Sequence, residues 1–117
     1  MKTIPLKVWN RIEILQQPIA AIAHASTDNR NRWVDIYYNV NRHSVVVHPP
    51  HLYCVIDTEY DTSLLEVHAE HGDEDLAIVS QARYYATDIN ELYALLTSLH
   101  VDPEAFNAPW HVNHPQF

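Results

Sequence analysis

Val8, Ile12, Leu15, Ile19 and Ile22 recur at alternating spacings of four and three residues. That is the period of one face of an α-helix, and it predicts helix across residues 5–25. Pro18 interrupts the stripe, so the expected form is a kinked helix, or two helices with Pro18 in the first turn of the second. A hairpin competes with it, with arms at residues 11–15 and 19–24 turning at Gln16 and Gln17. The periodicity favours the helix.

Residues 26–32 are polar and rich in turn formers. The pattern then changes to alternation, with Val34, Ile36, Tyr38 and Val40 on one side of residues 33–40, as in a half-buried strand. Residues 44–48, ended by Pro49 and Pro50, read as a second strand. Residues 52–60, 64–70 and 76–85 read as three more, with an acidic turn around Gly72 at residues 71–75. Helical period returns at Ile89, Leu92, Tyr93, Leu96 and Leu99. Asp88 and Glu91 have capping-box spacing at its start, and His100 stands at the end where a cation suits the helix dipole. Asp102-Pro103-Glu104 opens a short helix running to Phe106. Residues 107–117 are expected to be irregular, pinned to the body by Trp110 and Phe117. Together these elements predict one α+β domain over residues 1–117: an antiparallel sheet of about five strands with helices packed on one side.

Composition agrees with a packed domain. Of 117 residues, 47% are hydrophobic and 19% charged, which is outside the range of disordered chains. No apolar run reaches the roughly 18 residues that span a bilayer. No secretory signal is expected, and no membrane partner. Cys54 is the single cysteine, which suits a reducing, cytoplasmic setting. Gly72 is the single glycine. Phosphate-cradling loops and the nucleophile elbow both need glycines for close backbone approach, so those motifs are absent and the common nucleotide-dependent enzyme classes lose most of their support.

Charge is unevenly placed. Residues 1–56 set Lys2, Lys7, Arg11, Arg30, Arg32 and Arg42 against Glu13, Asp28 and Asp35, a net of +3. Residues 57–117 hold Arg83 alone against 12 acids, a net of -11. Direct contact between that half and nucleic acid is disfavoured by phosphate repulsion.

The densest run is Asp57, Glu59, Asp61, Glu66, Glu70, Asp73, Glu74 and Asp75, with no Lys or Arg among them. Read as a hairpin turning at Thr62 and Ser63, it sets Glu59 opposite Glu66 and Asp57 opposite His68. Like charges facing each other cost a few tenths to about 1 kcal/mol when exposed. A cationic partner would cancel that cost. The expectation is a partner-binding surface made of Asp57, Glu59, Asp61, Glu66, His68, Glu70, Asp73, Glu74 and Asp75. The plainer alternative is a solvated sheet face whose charges deter aggregation.

Histidine is abundant, with nine residues. Three pairs have HxxH spacing: His48 and His51, His68 and His71, His111 and His114. None matches the helical HExxH pattern, and prolines separate the first pair. His68 and His71 with Glu70 and Asp73 form the one metal alternative. Cys54 lies in an apolar run, where a structural thiol is usual. Tyr37-Tyr38 and Tyr84-Tyr85 each set one ring inward and one outward.

The expected function is therefore a cofactor-free, non-enzymatic module that presents an acidic sheet face to a basic protein surface. That surface would include a nucleic-acid-binding site, where the carboxylates imitate the charge spacing of the nucleic-acid backbone. Inhibitors, immunity proteins and anti-defence proteins work this way. A metal-assisted hydrolase or lyase using His68 and His71 is one alternative. A homodimer or larger homo-oligomer joined through an aromatic face is the other.

Overall fold

The computed structural model describes residues 2–117. Among these the chain forms three α-helices and one four-stranded antiparallel sheet, an α+β fold. The strands are β1 (Ile19–Ala23), β2 (Arg30–Tyr38), β3 (Tyr53–Asp61) and β4 (Ile78–Ala86), side by side in sequence order. The helices are α1 (Leu6–Glu13), α2 (Thr62–Ala69) and α3 (Ile89–Ser98).

Three expectations are corrected. Residues 5–25 are neither one kinked helix nor a hairpin. Pro5 is the N-cap of α1, and its carbonyl accepts from Val8 and Trp9 at 2.9 Å each. The helix ends before Gln16, which turns the chain with φ of 55°. Pro18 cannot donate to a continuing helix, so Ile19 begins β1 instead. The helical stripe therefore stops at Ile12, and Leu15 and Ile22 are exposed.

Residues 44–48 are not a strand. Asn41 closes the base of the loop by accepting from His48 N–H at 2.8 Å and donating to its carbonyl at 3.1 Å. Val45, Val46 and Val47 project beyond that base at 101%, 63% and 90% exposure. β-branched side chains do not make a strand without a ladder to join.

Residues 64–70 are not a strand either. Asp61 Oδ1 accepts from Leu64 N–H at 3.0 Å, which caps α2 at its first turn. Two expected strands are lost and β1 is gained, so the sheet has four strands rather than about five.

Register places Ile19, Ala21, Val34, Ile36, Tyr53, Val55 and Ala86 on one face of the sheet. They form the main core with Ile12 of α1, Leu92 and Leu96 of α3, and Ile4, Val101 and Phe106 from the connections. Trp33 and Tyr60 point the other way and cluster with Ala77, Leu65 of α2, Ile78 and Val112. The C-terminal segment seals that second face. Trp33 Nε1 donates to the Val112 carbonyl at 2.8 Å, and Tyr60 donates to Gln116 at 2.9 Å. His114 Nε2 stands 2.9 Å from the buried Asp35 carboxylate. Its Nδ1 accepts from Gln116 N–H at 3.1 Å, so Nε2 carries the proton that reaches Asp35.

Candidate functional site

Because residues 62–69 are helical, the acidic run divides into two groups with different surroundings. Asp57 and Glu59 lie on β3, on the same face as Val55. There they meet β2 across the ladder, Asp57 beside Val34 and Glu59 beside Arg32.

Arg32 organises this first group. Its Nε and Nη2 donate to the two oxygens of Asp57, each at 2.8 Å. Nη2 also donates to the Leu99 carbonyl at 2.9 Å, and Nη1 to that of His24 at 3.2 Å. The hydrogen bond to Asp57 holds the guanidinium pKa above its ordinary value. Glu59 accepts from Ser26 N–H at 2.6 Å and Ser26 Oγ at 3.1 Å, with Arg30 at 3.9 Å. The Ser26 amide is the main cause holding its pKa low. Arg32, Asp57, Glu59 and Ser26 line an open cleft of about 340 Å³ together with His24, Ser80, Gln81 and Ala82. Its charges are already satisfied, so the cleft offers room and hydrogen-bonding groups more than net charge.

The second group carries the free charge. Asp61 caps α2, and its pKa is lowered chiefly by the Leu64 N–H it accepts. Glu66 and Glu70 are exposed at the helix and its end, as are Asp73 and Asp75 in the following turn; Glu74 is half-buried. Gly72, at φ of +71°, allows the chain to reverse there. His68 is half-buried on α2, and its carbonyl accepts from His71 N–H at 3.1 Å and Asp73 N–H at 3.2 Å. No Lys or Arg occurs between Arg42 and Arg83.

Apolar side chains stand among these acids. Leu65 points into the Trp33–Tyr60 cluster. Leu64 and Val67, one helical turn apart on α2, are 44% and 60% exposed, and Leu76 in the next turn is 60% exposed. Periodicity of two had hidden them. Read at helical spacing, Leu64 and Val67 form an i, i+3 pair that Leu65 does not share.

Three histidine rings, those of His48, His51 and His114, have hydrogen-bond partners. His51 Nδ1 lies 2.7 Å from the Pro49 carbonyl, and Nε2 accepts from Val40 N–H at 3.0 Å. His48 Nδ1 lies 2.8 Å from the Tyr85 hydroxyl. Among the described residues no group of three His, Cys, Asp or Glu is gathered closely enough to hold a metal ion. Cys54 is buried, and burial pushes its thiol pKa up, away from thiolate chemistry.

Comparison of the chain with protein-family models, with curated proteins and with solved structures finds no match.

Proposed function

We propose that this protein is a non-enzymatic binding module whose acidic α2 end engages a basic surface on another protein. The observation that carries the reading is the mixture at that end: Leu64, Val67 and Leu76 exposed among Glu66, Glu70, Asp73 and Asp75. A solvated charged face needs no exposed leucines. Apolar side chains at the centre with charge of one sign around them suit an interface, where burial supplies affinity and charge supplies steering and selectivity.

The partner chemistry follows from the sign. A cationic protein surface gains from this end, whereas a nucleic-acid backbone is repelled. A nucleic-acid-binding site on another protein is one such surface. Blocking it would make the chain an inhibitor of the immunity or anti-defence kind. The reducing cytoplasm is where its single unpaired thiol would persist.

The test is affinity capture from host lysate with the wild type and a Leu64→Ser/Val67→Ser variant. Both side chains are exposed, so the variant should keep the wild-type melting temperature. Loss of the captured protein from the variant supports the reading. Equal capture by both removes it.

A further inference from the structure

The two edges of the sheet are finished differently. On the outer side of β1, Ala20 and Asn107 exchange both backbone hydrogen bonds, each at 2.9 Å. The C-terminal segment thereby covers that edge at Ala20. At the opposite edge β4, nine residues long, pairs with β3 alone among the described residues. Among the described residues, no backbone group pairs with the alternate N–H and C=O groups along its outer side.

Proteins usually blunt such an edge with a proline, a lysine or a short strand. β4 reads IVSQARYYA, without proline or lysine, and its one charged residue is Arg83. Its register with β3 is continuous from Ser80 to Ala86, the irregularity falling at its start opposite Glu59 and Tyr60. Val79, Ser80, Gln81 and Arg83 on it are exposed. An extended strand is the occupant that pairs with every group of such a row.

Charge selects between occupants. Asp73, Glu74 and Asp75 precede β4, and Asp88 and Glu91 follow it. A second copy paired antiparallel sets the acidic entrance of one strand against the acidic exit of the other. Paired in parallel, entrance meets entrance. Both arrangements face carboxylate with carboxylate. A foreign strand with Lys or Arg at both ends meets opposite charge at both. On the side of the sheet that carries α3, the small side chains of Ser80 and Ala82 border the cleft beside Arg32, leaving space for a long side chain of that strand.

We propose that β4 accepts an extended segment of a partner protein, basic at both ends, as a further strand of the sheet. This rests on the acidic-surface reading and gives it a binding mode, since the acidic turn of residues 73–75 leads directly into β4.

The experiment uses the full chain and a synthetic probe: a peptide of about nine residues, alternating Val and Thr between flanking lysine pairs. Its controls are the same peptide flanked by glutamates and the same peptide with alternate backbone amides N-methylated. Binding is followed by amide chemical shifts and hydrogen exchange. The expected result is protection of alternate β4 amides by the lysine peptide, with at least about tenfold weaker binding for both controls. Equal binding of the N-methylated peptide, protection outside β4, or no binding of the lysine peptide overturns the proposal. A Gln81→Pro variant extends the test to the captured partner. If capture survives Gln81→Pro but is lost on Leu64→Ser/Val67→Ser, strand addition fails and the acidic-surface reading stands. If neither variant changes capture, both fail.

Discussion

Arg32 grips Asp57 with two parallel hydrogen bonds of 2.8 Å, and the side chains are only 12% and 16% exposed. The sequence places these two residues in opposite charge groups, one in the basic half and one in the acidic half. Folding joins them across β2 and β3, and Arg32 then reaches the Leu99 carbonyl beyond α3. Arg32→Ala would leave Asp57 shielded from water without its partner. The expected loss is on the order of 2 kcal/mol, below the range for a fully buried pair because some solvent reaches this one. Urea unfolding checks it. A midpoint unchanged from wild type would show that the pair does not hold the sheet.

The buried pair of Asp35 and His114 predicts a second effect. Asp35 is 4% exposed, and burial raises its pKa despite the hydrogen bond from His114. His114→Ala removes that donor and leaves a buried carboxylate unpaired, at a cost of about 3 kcal/mol. The C-terminal segment loses an anchor at the same time. Limited proteolysis should cleave the variant first near residues 112–117, while the wild type resists there. Wild-type resistance in the variant would contradict the role given to this pair.

Acid should weaken the fold. Glu59, Asp61, Glu91 and Asp102 all have pKa values held below their ordinary ones by hydrogen bonds. A carboxylate depressed in the folded state contributes stability above its unfolded pKa and loses it as pH falls through the folded value. Asp35 works in the opposite sense, since a raised pKa gives stability that is full at low pH and lost as pH rises through the folded value. With four groups against one, unfolding free energy is expected to fall from about pH 4.5 downward. Denaturant titrations across that window test the sign. A stability that rises on acidification would contradict the assignment.

Capping makes α2 dependent on one side chain. Asp61→Ala removes the acceptor for Leu64 N–H, which weakens the first turn of α2. Hydrogen exchange should quicken through residues 64–69 before it does so in the strands. Uniform acceleration across the sheet would show that α2 is not a separately opening unit.

The projecting valines predict a silence. Val45→Ser/Val47→Ser changes side chains at 101% and 90% exposure, so stability should move by less than about 0.5 kcal/mol. A loss of several kcal/mol would mean that the loop packs where the structure shows it free.

Where the chain pattern was legible, one face alternated or one helix repeated without interruption. β2 showed its inward set at Val34 and Ile36, and α3 its Leu92 and Leu96, with Asp88 capping it by donation from Glu91 N–H. The capping glutamate itself turns back to Thr87 rather than to Asp88. Short apolar runs were ambiguous because period two and period 3.6 coincide over a few residues. At residues 64–70 the deciding signal was the Asp61 cap, a local feature that a count of alternating residues ignores. At residues 44–48 no local signal separates valines that join a ladder from valines that lack one. The acidic surface was legible as composition but not as geometry. Whether a carboxylate is free or held depends on Arg32 and Ser26, which lie 25 to 33 residues away in sequence.

The central claim is that the end of the molecule around α2 recruits a cationic protein. The most direct measurement is the affinity of the captured partner for wild type and for Glu66→Lys/Glu70→Lys, each taken through a series of salt concentrations. The account predicts wild-type binding that weakens steadily with salt, and a variant whose binding is weak from the start. Affinity that ignores salt, and that reversing both charges leaves intact, would contradict it.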